Sequence, residues 1–71
     1  MHVHVLLRED RNDHGYIDTS VIGVYGELKA ARLERMRQRR RAIAAGFDVN
    51  YDNPDDDTWQ VYWKIEEVEV E

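Results

Sequence analysis

The chain has 71 residues, a formal net charge of -5 and no cysteine. A chain this short makes one domain and buries only roughly 60% of the surface it exposes when unfolded, so its stability is marginal without a staple or a partner. The missing cysteines exclude disulfides, thiolate zinc sites and cysteine nucleophiles together. The apolar part of "MHVHVLLRED" is too short and interrupted for a signal peptide, and no stretch approaches a membrane span, so a cytoplasmic protein is expected.

In chain order, "HVHVLLRE" (2–9) predicts a strand, with Val3, Val5 and Leu7 on one face and His2, His4 and Leu6 on the other. "DRNDHG" (10–15) has turn chemistry, and the β-branched "YIDTSVIGVY" (16–25) predicts a second strand, giving an antiparallel hairpin. A helix is expected over 27–45, with Gly26 as N-cap, Glu27 favouring the positive end of the dipole, and Gly46 as the left-handed stop. "DVNYDNPDDD" (48–57) predicts a polar loop. "TWQVYWKIEEVEVE" (58–71) predicts a long strand whose apolar phase slips near Glu66 and Glu67, the mark of a bulge or a strand break. The expected fold is α+β in the order β-β-α-β, a three-stranded, mostly antiparallel sheet with one helix across one face.

Charge is distributed unevenly. Lys29 and six arginines outweigh Glu27 and Glu34 in residues 27–47, a net of +5. The closing segment, 48–71, holds nine carboxylates against Lys64, a net of -8. Such polarity favours a charged partner without fixing its sign. At about 100° per residue, Leu33, Met36, Ile43, Ala44 and Phe47 share an arc that predicts the buried stripe, with Arg40 inside it. Arg32, Arg35, Arg37, Arg39 and Arg41 then surround the cylinder instead of gathering on one side, as a groove-binding helix requires. No aromatic residues interleave with them and the flanks are acidic. The leading expectation is a solvated face paired with the protein's own carboxylates; nucleic-acid binding through these arginines is the alternative.

His2 and His4 share a strand face as some metal ligands do, but no third ligand is specified, and ordinary strand residues are the simpler reading. Asp48, Asn50 and Asp52 alternate like the first half of a calcium loop. Asn53 stands where its glycine belongs and Trp59 where its glutamate belongs, so no metal or other cofactor is expected. No nucleophile elbow, phosphate loop or metalloprotease motif occurs, so no catalytic residue is assigned.

The aromatic residues point to an interface. Tyr62 alternates with Trp59 and Trp63, Tyr25 with Ile22 and Val24, and one helix covers only one sheet face. The uncovered face should carry aromatic and aliphatic side chains for a partner or a second copy, and a homodimer is expected. The acidic residues Asp52, Asp55, Asp56 and Asp57, with Glu67, Glu69 and Glu71, form with Trp59, Tyr62 and Trp63 the candidate partner-binding set.

The segments "HVHVLLRE", "VIGVYGELKAARL", "GF" and "YWKIEEVEVE" together resemble a family of short uncharacterised bacteriophage and bacterial proteins. Ile22, Gly23, Val24, Tyr25, Ala30, Leu33, Phe47, Trp63, Ile65, Glu66 and Glu67 carry the resemblance, and the arginine-dense helix and long acidic loop depart from it. It implies a small α+β fold and a phage origin, and it brings no catalytic or binding residues. The expected function is a non-catalytic interaction protein, a phage-type accessory or anti-defence factor whose acidic surface mimics nucleic-acid phosphates towards a basic host protein.

Overall fold

The computed structural model describes all of residues 1–71. Strand β1 (His2–Arg11) and strand β2 (Ile17–Tyr25) form the expected antiparallel hairpin. Its turn is organised by Asn12, whose Oδ1 accepts from the backbone N–H groups of His14 (2.9 Å) and Tyr16 (3.0 Å). Gly15 supplies the left-handed step at φ 84° that such a turn needs.

Helix α1 (Leu28–Ala44) follows. Its N-cap is Glu27, one residue later than the sequence suggests, and the side chain of Glu27 makes no capping hydrogen bond. The first turn consequently holds no acidic residue, and Glu27 stands just before it, still beside the positive end of the dipole. The other end closes as expected. Gly46, at φ 88°, donates to Ile43 O (3.0 Å), and Phe47 N–H donates to Ala42 O (3.0 Å), the paired bonds of a Schellman turn.

After the helix, β3 (Val49–Asn50) lies parallel to β4 (Val61–Glu69), and the sheet order is β2-β1-β4-β3. The sheet therefore has four strands and is mixed, not the three expected. Two residues are too few to show any period in the sequence, so β3 is defined only by its neighbour. β1 and β4 pair antiparallel in one unbroken register from His2↔Glu69 to Asp10↔Val61. The apolar slip at Glu66 and Glu67 is thus neither a bulge nor a break. Strand β4 turns Glu67 and Glu69 to the face of Trp63 and Ile65, and Val68 to the other. The bulge lies instead in β2, where Leu6 pairs Gly23 but Leu7 pairs Val21, leaving Ile22 as the extra residue.

The core is small. Leu6, Val61 and Trp63 are fully buried against Ala42, with Ile22, Tyr25, Val49 and Ile65 packed around them. Helix α1 meets all four strands on this one face. It does so through Leu28, Ala31, Arg35, Gln38 and Ala42, of which Ala31 and Ala42 are buried. The expected stripe is therefore inverted: Leu33, Met36, Ile43 and Phe47 are 42–51% exposed. The reason is steric. Trp63 and Leu6 rise from the sheet and fill the space between layers, so the fully buried helix positions are the small Ala31 and Ala42. The stems of Arg35, Gln38 and Arg39 cover the margins of that contact.

No helix is long and apolar enough to cross a membrane.

Candidate functional site

The far side of the sheet has no helix. Alternation from the paired positions puts Val3, Val5, Leu7, Glu9 and Arg11 of β1 on it, flanked by Ile17, Val21 and Val24 of β2 and by Tyr62, Lys64, Glu66 and Val68 of β4. Val21 is 63% and Val24 60% exposed, and Ile17 and Val68 are also exposed. Of the aromatic and aliphatic side chains expected here, the surface carries mainly the aliphatic ones, with Tyr62 on it as expected. Tyr25 is not part of it, because the Ile22 bulge resets the alternation and both residues pack on the core side. Its ring lies over Gly23, where a Cβ would sit 2.7 Å from Tyr25 Oη. The charges on this face nearly cancel. Lys64 Nζ lies 3.4 Å from Glu66 and 3.9 Å from Glu9.

The candidate aromatic residues separate. Trp63 is fully buried and its Nε1 has no hydrogen-bond partner; the guanidinium of Arg8, held by Asp10 at 2.9–3.1 Å, stacks 5.2 Å from its ring centre. Trp63 is thus a core residue with no surface open to solvent. Trp59 precedes β4 and packs edge-on against Tyr62 (6.2 Å), with the Arg11 guanidinium 4.7 Å from its ring centre. Trp59 also borders two surface clefts of about 480 and 430 Å³, the first beside the β1–β2 turn and the second beside Asn50, Asp52 and Tyr62.

The acidic candidates also divide. Asp52, at the left-handed φ of 62°, accepts the Tyr62 hydroxyl at 2.5 Å and lies 3.7 Å from Arg39. The hydrogen bond to Asp52 first, then burial and the Asp52 charge, push the Tyr62 pKa up to about 12. Asp56 is used locally, its Oδ1 accepting from Thr58 N–H (3.0 Å) and Oγ1 (3.1 Å). Asp55 donates its N–H to Asn53 Oδ1, and the carbonyl of Asp57 accepts from Arg11. Glu67 faces His2 at 3.3 Å, while Glu69 and Glu71 make no ion pair. Asp55, Asp56 and Asp57 precede β4, and Glu67 lies roughly 20 Å along it from Val61 at ~3.3 Å per residue. The carboxylates therefore form two separate groups.

No cluster of three or more His, Asp and Glu side chains is arranged to hold a metal. The alternating Asp48, Asn50 and Asp52 serve the loop instead. Asn50 and Asn53 exchange two hydrogen bonds (3.0 and 2.8 Å), and Asp48 N–H donates to Gln60 Oε1.

The arginines are mostly without acidic neighbours. Arg37 lies 3.6 Å from Glu34 and Arg39 3.7 Å from Asp52, while Arg32, Arg35, Arg40 and Arg41 have no carboxylate within ion-pair distance. The expected pairing with the protein's own carboxylates holds for only two of the six, because the acidic segments lie along the sheet and at its edge. Arg35 and Arg39 lean inward. Arg39 stacks 4.8 Å from the Tyr51 ring, and its Nε has no hydrogen-bond partner. Burial first, then the charge of Arg35, lowers its pKa, and Asp52 opposes both. Arg32, Arg37, Arg40 and Arg41 are exposed beside Leu33, Met36 and Ile43.

Sequence reasoning missed this outward grouping and the inward role of Ala31 and Ala42. One signal existed: Leu28, Ala31, Arg35, Gln38 and Ala42 repeat at the same three-and-four spacing as the larger apolar set, with the small residues a crowded interface requires. No protein-family model, curated protein or solved structure matches the chain, so the resemblance to short phage and bacterial proteins rests on its motif residues alone.

Proposed function

We propose that the protein is a non-catalytic protein-interaction module that acts as a homodimer joined through its open sheet face. The observation that carries this reading is the aliphatic surface opposite the helix, on which Val21, Val24 and Val68 are exposed and Val3, Val5 and Leu7 are half-buried. Monomeric proteins seldom leave so continuous an apolar face in water.

A second copy fits this face better than a charged partner does. Lys64 and Arg11 balance Glu9 and Glu66, so the face itself carries no net charge to set against a second copy. Three long strands, nine residues at ~3.3 Å by ~4.8 Å spacing, offer on the order of 1,000 Å² for the pair once side-chain relief is counted, the lower bound for a specific interface. Face-to-face packing of twisted sheets is a familiar way to complete a core. Phosphate mimicry by the carboxylates, the activity of an anti-defence factor, draws less support, since those groups are split between the two ends of β4.

Sedimentation equilibrium tests the reading. A dimer is expected at tens of micromolar, with Val24→Asp monomeric and still folded. A monomer at high micromolar concentration overturns it.

A further inference from the structure

We propose that the outward face of α1 is a docking surface for an acidic amphipathic helix of a different protein. This goes beyond the self-association above, which uses the opposite side of the molecule.

Leu33, Met36, Arg40 and Ile43 lie three, four and three residues apart, the spacing of a helix seam that meets another helix. All four are exposed, on the side of α1 away from Ala31 and Ala42. Arg32 lies on one side of that seam and Arg37 and Arg41 on the other, Lys29 stands in line with it one turn before Leu33, and the outward arc holds no carboxylate; Glu34 sits at its margin against Arg37. Over 17 residues the face is about 25 Å long, enough for three to four turns of a partner.

Charge decides the occupant. A second copy of this helix would set cations against cations along both flanks and offer no carboxylate to the Arg40 that each copy holds in its seam. A partner helix with an apolar seam and flanking carboxylates reverses every one of those terms, and one carboxylate within its seam satisfies Arg40. A polar residue in a seam also fixes register. A nucleic-acid backbone would engage the cations but leave Leu33, Met36 and Ile43 unburied. A bilayer surface would have to accept Arg40 at the centre of the inserted stripe. The acidic helix uses both the cations and the apolar residues.

The test uses the full chain and a synthetic four-heptad peptide with leucine at the seam positions, one central seam glutamate, and glutamate on both flanks. The comparison probes are the same peptide with lysine flanks, a 20-base-pair DNA duplex, and phosphatidylserine vesicles. The glutamate peptide should bind, its amide shifts mapping to Leu33, Met36, Arg40 and Ile43, and should weaken at least tenfold between about 50 and 500 mM salt. Met36→Asp and Ile43→Asp should each weaken binding at least tenfold. Their thermal midpoints should be unchanged, and Leu33→Gln provides a second variant should either lower them. No binding at about 1 mM peptide, shifts mapping off α1, equal binding of the lysine peptide, or tighter binding of DNA or vesicles overturns the proposal. A monomer that binds the peptide would defeat only the dimer. A dimer that ignores it would defeat only this proposal.

Discussion

Tyr62 and Asp52 form the shortest side-chain hydrogen bond in the molecule, and it has a pH signature. The folded pKa of Tyr62 is pushed up to about 12, above the ~10 of an unfolded tyrosine. A raised pKa means the protonated form is the one stabilised, so the contribution is complete below about pH 10 and is lost as pH rises through 12. Thermal unfolding followed from pH 9 to 12 should show a steeper fall for the native chain than for Tyr62→Phe; equal slopes would mean the bond does not form. At neutral pH the same variant should lose about 1 kcal/mol, the net value of one hydrogen bond. Gly23 offers a second residue-level test. A methyl group there meets the tip of the Tyr25 ring at 2.7–3.0 Å, so Gly23→Ala must push the ring off the core. We expect a loss of about 1–2 kcal/mol in denaturant unfolding, shrinking in a Tyr25→Leu background.

At the scale of elements, α1 contradicts the ordinary reading of an amphipathic helix, and substitutions separate the two orientations. With Ala42 packed in the core against Leu6, Val61 and Trp63, Ala42→Leu overfills the interface and should cost about 1–3 kcal/mol. Leu33→Gln and Met36→Gln on the outward face should stay within about 0.5 kcal/mol. The reverse order of effects in urea unfolding would place the other face inward. The end of the helix is less negotiable. Gly46 holds φ 88°, so Gly46→Ala should cost about 1 kcal/mol through backbone strain alone.

For the whole molecule, the limiting quantity is buried apolar surface. Only Leu6, Ala31, Ala42, Val61 and Trp63 form the buried hydrophobic set, with Asn50 the one buried polar residue. Trp63 carries so much of this core that Trp63→Ala, at about 3–5 kcal/mol, should leave the chain unfolded. A core this small makes a second copy energetically useful. The thermal midpoint should rise with protein concentration, roughly 5–10 °C for a hundredfold increase. Val24→Asp should abolish that dependence, and a concentration-independent midpoint in the native chain would count against the dimer. The outline of the molecule, 39 × 23 × 19 Å, is a slab with a basic helical layer on one side and a near-neutral aliphatic sheet face on the other.

The sequence by itself determined the long elements, because each is specified locally. Asn12 and Gly15 make the hairpin turn, β-branched residues make its strands, and Gly46 ends the helix by adopting a backbone angle few other residues tolerate. The charge polarity and the absence of cysteine chemistry were equally legible. Tertiary structure decided the rest. Which face of α1 turns inward depends on the volume that Trp63 and Leu6 occupy above the sheet, and periodicity alone ranked large apolar residues above alanine. Strand β3 exists only where β4 offers it hydrogen bonds. The bulge at Ile22, which carries Tyr25 to the core and leaves Val21 and Val24 in water, comes from pairing with β1. The candidate surfaces follow from these three outcomes, for a residue is exposed only after its neighbours have settled what they cover.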